Sequence, residues 1–332
     1  MKKTLIASAV AAATFSGAAL AQESNLPTVY GNIQLAVVHS DVDGDVNGQE
    51  VSGSDIGHYD NGSTLGVMHD HEIAPGIKGF FKAELEFDAD DKNGNNGLDS
   101  FDEAYIGIEG DQFGRVWVGS DDSTYETAID EIANYFEYAA LNLGGLYDTG
   151  EGDLIQYSSP SFGGLKLHGA VQVNGDGDNP KKSYPYQLAA TYAVDNLELG
   201  FAVDSNDGDS AYSDAPGTSV NNENTYGVRA SFNADNLRLT GQVQTRKDVG
   251  DIYGVMGIYT LGANAFALAY EYADADGVDA NASTITAQAK HNLSDNMYVY
   301  VEGYFSNAEE KEVGFEADLD QTDVAIGAVY YF

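Results

Sequence analysis

One acidic segment near the start of the chain has the residue spacing of a cation site. Asp43, Asp45 and Asn47, followed by a glycine, match the first half of a calcium-binding loop, in which alternate oxygens converge on the ion. Position twelve of such a loop is Ser54 here, whereas calcium loops use a glutamate that binds through both oxygens. Because Asp, Asn and Gly are also common turn residues, the segment is only a weak metal candidate.

Two histidines are the other candidate for metal or acid–base chemistry. His69 and His71 flank Asp70, and in a strand of period two they share one face. A zinc site needs at least three protein ligands, and no third ligand can be identified beside this pair. A hydrolase elbow of the form Gly-x-Ser-x-Gly is also absent from the sequence. We therefore expect no enzymatic activity, no cofactor and no dedicated metal site.

Composition favours a large all-β protein and excludes one class of partner. The 332 residues include 53 acidic and 15 basic side chains, so the formal net charge is −38. This charge argues against a nucleic-acid partner, which would repel the chain. The 38 glycines, 22 tyrosines and 14 phenylalanines are typical of β-sheet proteins.

The N-terminal residues predict export. Two lysines precede an apolar stretch over residues 5–20, which ends in a small-residue cleavage pattern at Ala21. We therefore expect a cleaved signal peptide at 1–21 and a single mature domain at 22–332, with a net charge of −40 after loss of the two lysines. The chain has no cysteine, so an exported protein would need stabilisation other than disulfides, and a closed hydrogen-bonded sheet would supply it.

Alternation of apolar and polar residues predicts many β-strands with one apolar face. The clearest strand is 77–87, in which Leu85 belongs to the apolar set. Lys78, Lys82 and Glu84 belong to the polar set of the same strand. Similar alternation recurs to the end of the chain. Alternation alone fits either a soluble sandwich or a membrane barrel whose apolar residues face lipid.

The connections between strands separate these two architectures. Short links such as 74–76 and 195–196 alternate with long acidic segments. The long segments are 40–63, 88–100, 121–152, 175–184, 205–223, 273–282 and 307–321. Short turns at one end and long extracellular loops at the other are typical of transmembrane antiparallel β-barrels, and about sixteen strands, as counted between the breaks, would enclose a water-filled lumen. We expect the aromatic residues of the final hairpin to lie in a girdle at the membrane interface; they are Tyr298, Tyr300, Tyr304, Phe305, Tyr330, Tyr331 and Phe332.

Four motifs carry a resemblance to a known family. They are Val29-Tyr30-Gly31-Asn32-Ile33, Phe113-Gly114-Arg115-Val116-Trp117-Val118-Gly119, Tyr157-Ser158-Ser159-Pro160-Ser161-Phe162-Gly163-Gly164-Leu165 and Val324-x-Ile326-x-Ala328-x-Tyr330-x-Phe332. With these motifs the mature chain resembles, over its whole length, the general diffusion porins of the Gram-negative outer membrane. In that family, a final phenylalanine preceded by alternating apolar residues is read by the outer-membrane assembly machinery, and the fourth motif matches that pattern.

The resemblance implies a homotrimer of 16-stranded barrels in contact with outer-membrane lipid and lipopolysaccharide. Each pore would be narrowed by a third loop folded inward, and ions and small hydrophilic solutes would diffuse through it passively. The third loop would be 121–152, and its candidate constriction acids are Glu126, Asp130 and Glu131. The candidate pore-wall residues are Lys78, Lys82, Glu84, Glu103 and Arg115.

Two departures from the family pattern bear on selectivity. Ser120 stands where many relatives have arginine, and the Pro-Glu-Phe-Gly-Gly loop motif is absent. Because the chain has four arginines, we expect carboxylates to dominate the field of the pore and to favour cations. A saline habitat would favour the same acidity. The alternative function is that of a secreted or surface acidic β-protein, either an adhesin or a calcium-stabilised protein.

Overall fold

The structure, a computed structural model, describes residues 26–90, 101–144, 147, 150–173, 184–205 and 223–332. The expected signal peptide at 1–21 lies outside these residues, as do most of the expected long segments at 88–100, 175–184 and 205–223. Within the described residues the chain forms seventeen β-segments. They are β1 (Thr28–Val46), β2 (Gln49–Asp60), β3 (Ser63–Ala74), β4 (Ile77–Phe87), β5 (Phe101–Gly110), β6 (Gly114–Ser120), β7 (Leu154–Ser158), β8 (Leu165–Gln172), β9 (Tyr186–Val194), β10 (Leu197–Asp204), β11 (Thr225–Ala234), β12 (Leu237–Arg246), β13 (Gly250–Leu261), β14 (Asn264–Ala275), β15 (Asp279–Ser294), β16 (Met297–Glu312) and β17 (Phe315–Tyr331).

These segments close into a ring. Segments that follow one another from β3 to β17 pair antiparallel, and β17 pairs with β1 along most of its length. Both β2 and β3 pair with β1, and the register shifts by one residue between the pairs Leu35–Asp60 and Asn32–Thr64. One extra residue at 61–62 is a β-bulge, so β2 and β3 are two parts of one strand. The fold is a closed 16-stranded antiparallel β-barrel, as the sequence predicts.

The two faces of the barrel wall differ in polarity. On β16, Tyr300, Glu302 and Tyr304 are at most 2% exposed and face inward, whereas Val301 and Phe305 face outward and are 47% and 53% exposed. The same outward exposure of apolar side chains is found at Phe201, Val228, Val243, Val255, Leu268, Ile285 and Ile326. A continuous apolar exterior of this kind is stable against lipid rather than water.

The expected aromatic girdle is wrong for its tyrosines on β16. Tyr298, Tyr300 and Tyr304 lie on the inward face of β16, because they have the same parity as the buried Glu302. The Tyr298 hydroxyl donates a hydrogen bond to Glu137 inside the barrel at 2.8 Å. The aromatic residues therefore predicted a strand correctly at this place. Which face of the strand each tyrosine occupies depends on its position in the alternation along β16.

Three of the expected long segments are largely strands. Residues 40–63, 273–282 and 307–321 continue as the hairpins β1–β2, β14–β15 and β16–β17. Asn47 and Gly48 adopt φ angles of 55° and 78°, which a two-residue hairpin turn requires. These strands extend beyond the apolar segments because backbone hydrogen bonds between strands do not need apolar side chains. The sequence did not predict them, because residues that are polar on both faces show no alternation of period two.

The link between β6 and β7 contains the helical turns of the fold. Helix α1 (Thr124–Ile129) is followed by a 3₁₀ turn (Ala133–Tyr135). Ser123 caps α1, since its hydroxyl accepts a hydrogen bond from the Glu126 N–H at 3.0 Å. Across the described ranges, neither helical element has the length and apolar character needed to cross a membrane.

Candidate functional site

The described residues of 121–153, which we call the inner segment, lie inside the barrel against its wall. Tyr125 and Ile129 of α1 are fully buried against the inner faces of β9, β10 and β11. Gly227 of β11 makes room for them, since a Cβ there would lie 2.6 Å from the Tyr125 hydroxyl and 2.7 Å from Ile129. The Tyr125 hydroxyl donates to Gln244 of β12 at 3.0 Å. The helix is therefore seated on a surface shaped for it.

Two buried glutamates of the wall hold the backbone of the inner segment farther along. Glu302 of β16 accepts hydrogen bonds from the N–H groups of Glu137 at 2.8 Å and Tyr138 at 2.9 Å. Glu271 of β14 accepts one from the N–H of Gly144 at 2.8 Å. Backbone N–H groups away from water need such partners, so the wall side chains fix the path of the segment across the lumen.

Glu131 joins the inner segment to two arginines of the wall. Its carboxylate accepts hydrogen bonds from Arg238 Nε at 2.6 Å and Nη2 at 2.7 Å, and from Arg229 Nη1 at 2.7 Å. The hydroxyls of Ser231 and Thr240 donate to it at 2.9 Å and 2.7 Å. Burial would raise the pKa of Glu131, but these hydrogen bonds and the two arginine charges lower it to about 2. Glu131 is thus ionised and anchors the segment.

Asp130 is also turned toward the wall. It is 3% exposed and accepts a hydrogen bond from Gln244 Nε2 at 2.6 Å. Burial, together with the charge of Glu126, raises the pKa of Asp130 to about 7. The sequence grouped Glu126, Asp130 and Glu131 as constriction acids, but the structure separates them, because one helical turn points successive side chains in different directions.

Glu126 belongs to a group of carboxylates between the inner segment and the wall formed by β4 and β5. This group, the acidic cluster, consists of Asp122, Glu126 and Glu151 of the inner segment and Glu84, Asp102 and Glu103 of the wall. Lys82 lies among them, in an ion pair with Glu103 and 3.7 Å from Glu84. Burial and the nearby charge of Glu126 raise the pKa of Asp122 to about 6 and that of Glu151 to about 8.

The five expected wall residues fall into two groups. Lys82, Glu84 and Glu103 come together in the acidic cluster. Lys78 lies nearer the short-turn end of β4, 3.4 Å from Asp70, and both side chains are about two-thirds exposed. Arg115 is enclosed by aromatic rings, with its Cζ 4.3 Å from the Phe80 centroid, 4.7 Å from that of Trp117 and 5.5 Å from that of Tyr105.

Three members of the acidic cluster were not singled out by the sequence. Asp102 and Glu103 are adjacent, so strict alternation would place them on opposite faces of β5. The register shift between Ala83 and Leu85 allows both to act on the same side. Asp122 and Glu151 lie at the two ends of the inner segment. The sequence shows that these ends are acidic but does not show which way the side chains point.

The acidic segment with calcium-loop spacing is a strand end and a turn. The Gly48 N–H donates to Asp45 Oδ1 at 2.6 Å, and Asn47 Oδ1 accepts from the Glu316 N–H at 2.9 Å. Asp43 and Asp45 both lie in the extended strand β1 and Asn47 in the turn after it, whereas a calcium loop curls around its ion. His69 and His71 share a face, with ring centroids 5.4 Å apart. In the parts of the chain that the structure describes, no three His, Asp or Glu side chains are grouped to hold a metal ion.

The expected assembly residues share the outward face of β17. Val324, Ile326 and Tyr330 are 37%, 60% and 49% exposed. The Phe332 N–H donates to the Gly31 carbonyl at 3.0 Å, and the Gly31 N–H donates back at 3.1 Å, so the pairing with β1 extends to this residue. Recognition of this strand by an assembly machinery stays a prediction.

Comparison with known proteins agrees with the barrel. Residues 7–311 match the profile of Gram-negative porins. A monosaccharide porin from Halomonas sp. is 28% identical, with all of both chains covered, and the major outer membrane protein of Halomonas elongata has the same identity and coverage. The solved structure of an anion-selective porin from Comamonas acidovorans superposes with a TM-score of 0.68 at 21% identity, covering 92% of this chain and 99% of that one. At this identity the superposition supports the fold alone.

The family assignment rests on a match along most of the chain, on full-length relatives and on a barrel with an apolar exterior. Porins are channels and not a class of enzymes. An adhesin or a calcium-stabilised surface protein is not favoured by these findings. The chain belongs to the Gram-negative porin family and forms an outer-membrane channel for passive diffusion.

Proposed function

We propose that this porin passes small hydrophilic solutes and favours cations over anions. The observation that carries the proposal is the acidic cluster, in which six carboxylates and Lys82 come together between the inner segment and the wall. Carboxylates lining a pore attract cations and raise their local concentration. Solutes move down their gradients, so neither energy coupling nor a covalent step is required.

The proposal gives the acidic side chains two roles. Asp122, Glu126 and Glu151 form the segment side of the constriction, and Lys82 with Glu84 forms part of the wall side. The wall side also includes Asp102 and Glu103. Asp130 and Glu131 position the inner segment through their wall partners. Lys78 and Arg115 are wall residues outside the acidic cluster.

The test of selectivity is the reversal potential of the purified protein in a planar bilayer under a KCl gradient. The expected sign is that of K⁺ preference. The double variant Asp122→Asn/Glu126→Gln should lose part of this preference. The matched control Asp318→Asn/Asp320→Asn removes two carboxylates from the exposed outer rim of β17 and should leave the potential unchanged. Preference for Cl⁻ by the natural protein would contradict the proposal.

We further infer that solutes the size of one sugar ring pass, in line with the monosaccharide porin among the relatives. Liposomes containing the protein should swell faster in glucose than in a trisaccharide of equal osmolarity. Swelling no faster than that of protein-free liposomes would contradict this inference. On gels the purified protein should migrate as a heat-resistant homotrimer that is stable in detergent, and a monomeric mass in the unheated sample would exclude the trimer.

Export and assembly complete the proposal. Cleavage after Ala21 predicts that the mature protein, isolated with outer-membrane lipid and lipopolysaccharide, begins at Gln22, which N-terminal sequencing would read directly. The outward residues Val324, Ile326, Ala328, Tyr330 and Phe332 are proposed to be the signal for the assembly machinery. Phe332→Ser should therefore lower the amount of protein in the outer-membrane fraction more than the inward Tyr331→Ser does. Equal amounts would contradict the assignment.

A further inference from the structure

A polar cavity of about 580 Å³ opens on the inner wall near the short-turn end of the barrel. It is formed by the β5–β6 turn, the start of β6 and the link between β7 and β8. That link contains the Tyr157–Leu165 motif, to which neither the acidic cluster nor the inner segment gives a role. The lining side chains used below are Glu109, Asp111, Arg115, Trp117, Lys166 and His168.

The ionisable side chains of this cavity balance one another. Arg115 and Lys166 are basic, whereas Glu109 and Asp111 are acidic, and Glu109 lies directly opposite Arg115 in the β5–β6 register. The cavity therefore differs from the acidic cluster, although both lie on the lumenal wall. A small ion gains no net attraction here. A neutral solute with several hydroxyls can donate to the carboxylates and accept from the guanidinium and ammonium groups.

Several of these polar groups are already held in place. The Arg115 guanidinium is held against the Trp117 ring, with its Cζ 4.7 Å from the ring centroid. The His168 Nδ1 lies 2.8 Å from Ser158 Oγ, and its Nε2 lies 3.0 Å from Thr191 Oγ1. A neutral imidazole between two hydroxyls is satisfied in either tautomer. Groups held in this way lose little conformational entropy when a ligand binds.

We propose that this cavity is a binding subsite for a neutral polyol the size of one sugar ring. Cavities that bind small molecules measure about 300 to 1,000 Å³, and this one lies in the lower half of that range. Its acidic groups lie on β5 and the β5–β6 turn and its basic groups on β6 and β8, so hydroxyls around the edge of one ring can meet both acceptors and donors. The inference rests on the proposed function, because the solute reaches the cavity through the channel.

Trp117 makes the subsite directly measurable. It is the single tryptophan of the chain and lines the cavity, so tryptophan fluorescence reports on this place. Titration of the detergent-solubilised full chain with D-glucose should change the fluorescence in a saturable way. Lys166→Met and Asp111→Ala should each weaken the apparent affinity roughly tenfold, because each removes a hydrogen bond to a charged group. The control Lys311→Met, at an exposed lysine paired with Glu316, should leave the affinity unchanged.

Two further probes decide the chemical class. Gluconate has nearly the size of glucose but carries a negative charge, and glycine carries both charges without the hydroxyls. A saturable response to either of these in place of glucose would overturn the proposal, and so would a glucose response that never saturates. Bilayer conductance of the same preparation tests the channel separately. Conductance without saturable fluorescence would reject the subsite alone, whereas saturable fluorescence without conductance would reject the proposed channel function alone.

Discussion

At the scale of single residues, Glu131 shows how a charge inside a channel can serve position instead of permeation. Its carboxylate is shared by Arg229 and Arg238, and it also accepts two hydroxyl hydrogen bonds. The side chain is 7% exposed, so these partners replace the water it would otherwise bind. Removing one member of such a buried pair leaves the other charge without compensation, which costs more than the pair contributes.

We therefore predict that Glu131→Gln lowers the free energy of unfolding by about 3 kcal/mol. The measurement is urea denaturation of the detergent-solubilised protein. The control is Glu198→Gln, which removes a second and more exposed partner of Arg238 while leaving Glu131 in place. That change should cost less than about 1 kcal/mol. Equal losses in the two variants would mean that Glu131 has no special anchoring role.

At the scale of elements, the seating of α1 depends on a missing side chain. Gly227 faces Tyr125 and Ile129 at distances that leave no space for a Cβ. Gly200 on β10 is similar, since a Cβ there would lie 2.5 Å from the Ala128 carbonyl oxygen. The helix approaches the wall closely because these strand positions present only backbone. The inner segment and the wall are therefore matched in shape as well as in hydrogen bonding.

Gly227→Val should displace α1 from β11, with a cost of about 1–3 kcal/mol from overpacking. Because α1 lies inside the barrel, single-channel recordings should show a changed conductance with more frequent fluctuations than in the natural protein. Gly241→Val is the matched control on the neighbouring strand β12. It faces outward, and its nearest atom to a new Cβ would be 3.9 Å away. Identical recordings from both variants would show that α1 does not shape the opening.

The strands themselves are tested on their lipid-facing side. Leu268 lies near the middle of β14 and is 59% exposed on the outward face. Leu268→Arg should destabilise the barrel in lipid vesicles by about 2–4 kcal/mol, because a charge near the midplane of the bilayer is poorly solvated. Val278→Arg, in the turn after β14, should cost about 0–1 kcal/mol. If Leu268→Arg left the stability of the barrel in vesicles unchanged, this face would not contact lipid.

At the scale of the whole molecule, the field in the lumen should depend on pH. The pKa values of Asp121 and Asp122 are raised to about 6, chiefly by burial, and that of Glu151 to about 8. A carboxyl group is neutral below its pKa and ionised above it. Lowering the pH from 8 to 5 should therefore neutralise Glu151 first and the two aspartates next. The lumen loses negative charge over this whole interval.

We predict that the ratio of K⁺ to Cl⁻ permeability falls as the pH is lowered from 8 to 5, with the steepest change near pH 6. Reversal potentials at a fixed KCl gradient and several pH values measure this ratio. Asp122→Asn should give a lower ratio at pH 8 and a flatter dependence on pH. A ratio that stays constant from pH 8 to pH 5 would show that these carboxylates do not control permeation.

The sequence by itself determined the barrel, its approximate strand number and the presence of one apolar and one polar face on its strands. The period of two is a local property of each strand, and Lys82 and Glu84 with their apolar neighbours already display it. The acidic composition led to the expectation of a negative pore, whereas a third loop folded into the lumen was expected only from the resemblance to porins. The hairpin β1–β2 was harder to predict, because a ladder in water can have polar residues on both faces.

Only the tertiary structure decided which acidic side chains come together in the acidic cluster. A register shift in β5 directs both Asp102 and Glu103 toward the inner segment. Glu131 does not join the acidic cluster, because it binds Arg229 of β11 and Arg238 of β12. The cavity at Arg115 and Lys166 likewise joins strands about fifty residues apart in sequence. Each of these outcomes depends on contacts between distant parts of the chain, whereas the pattern of a strand depends only on its neighbours in sequence.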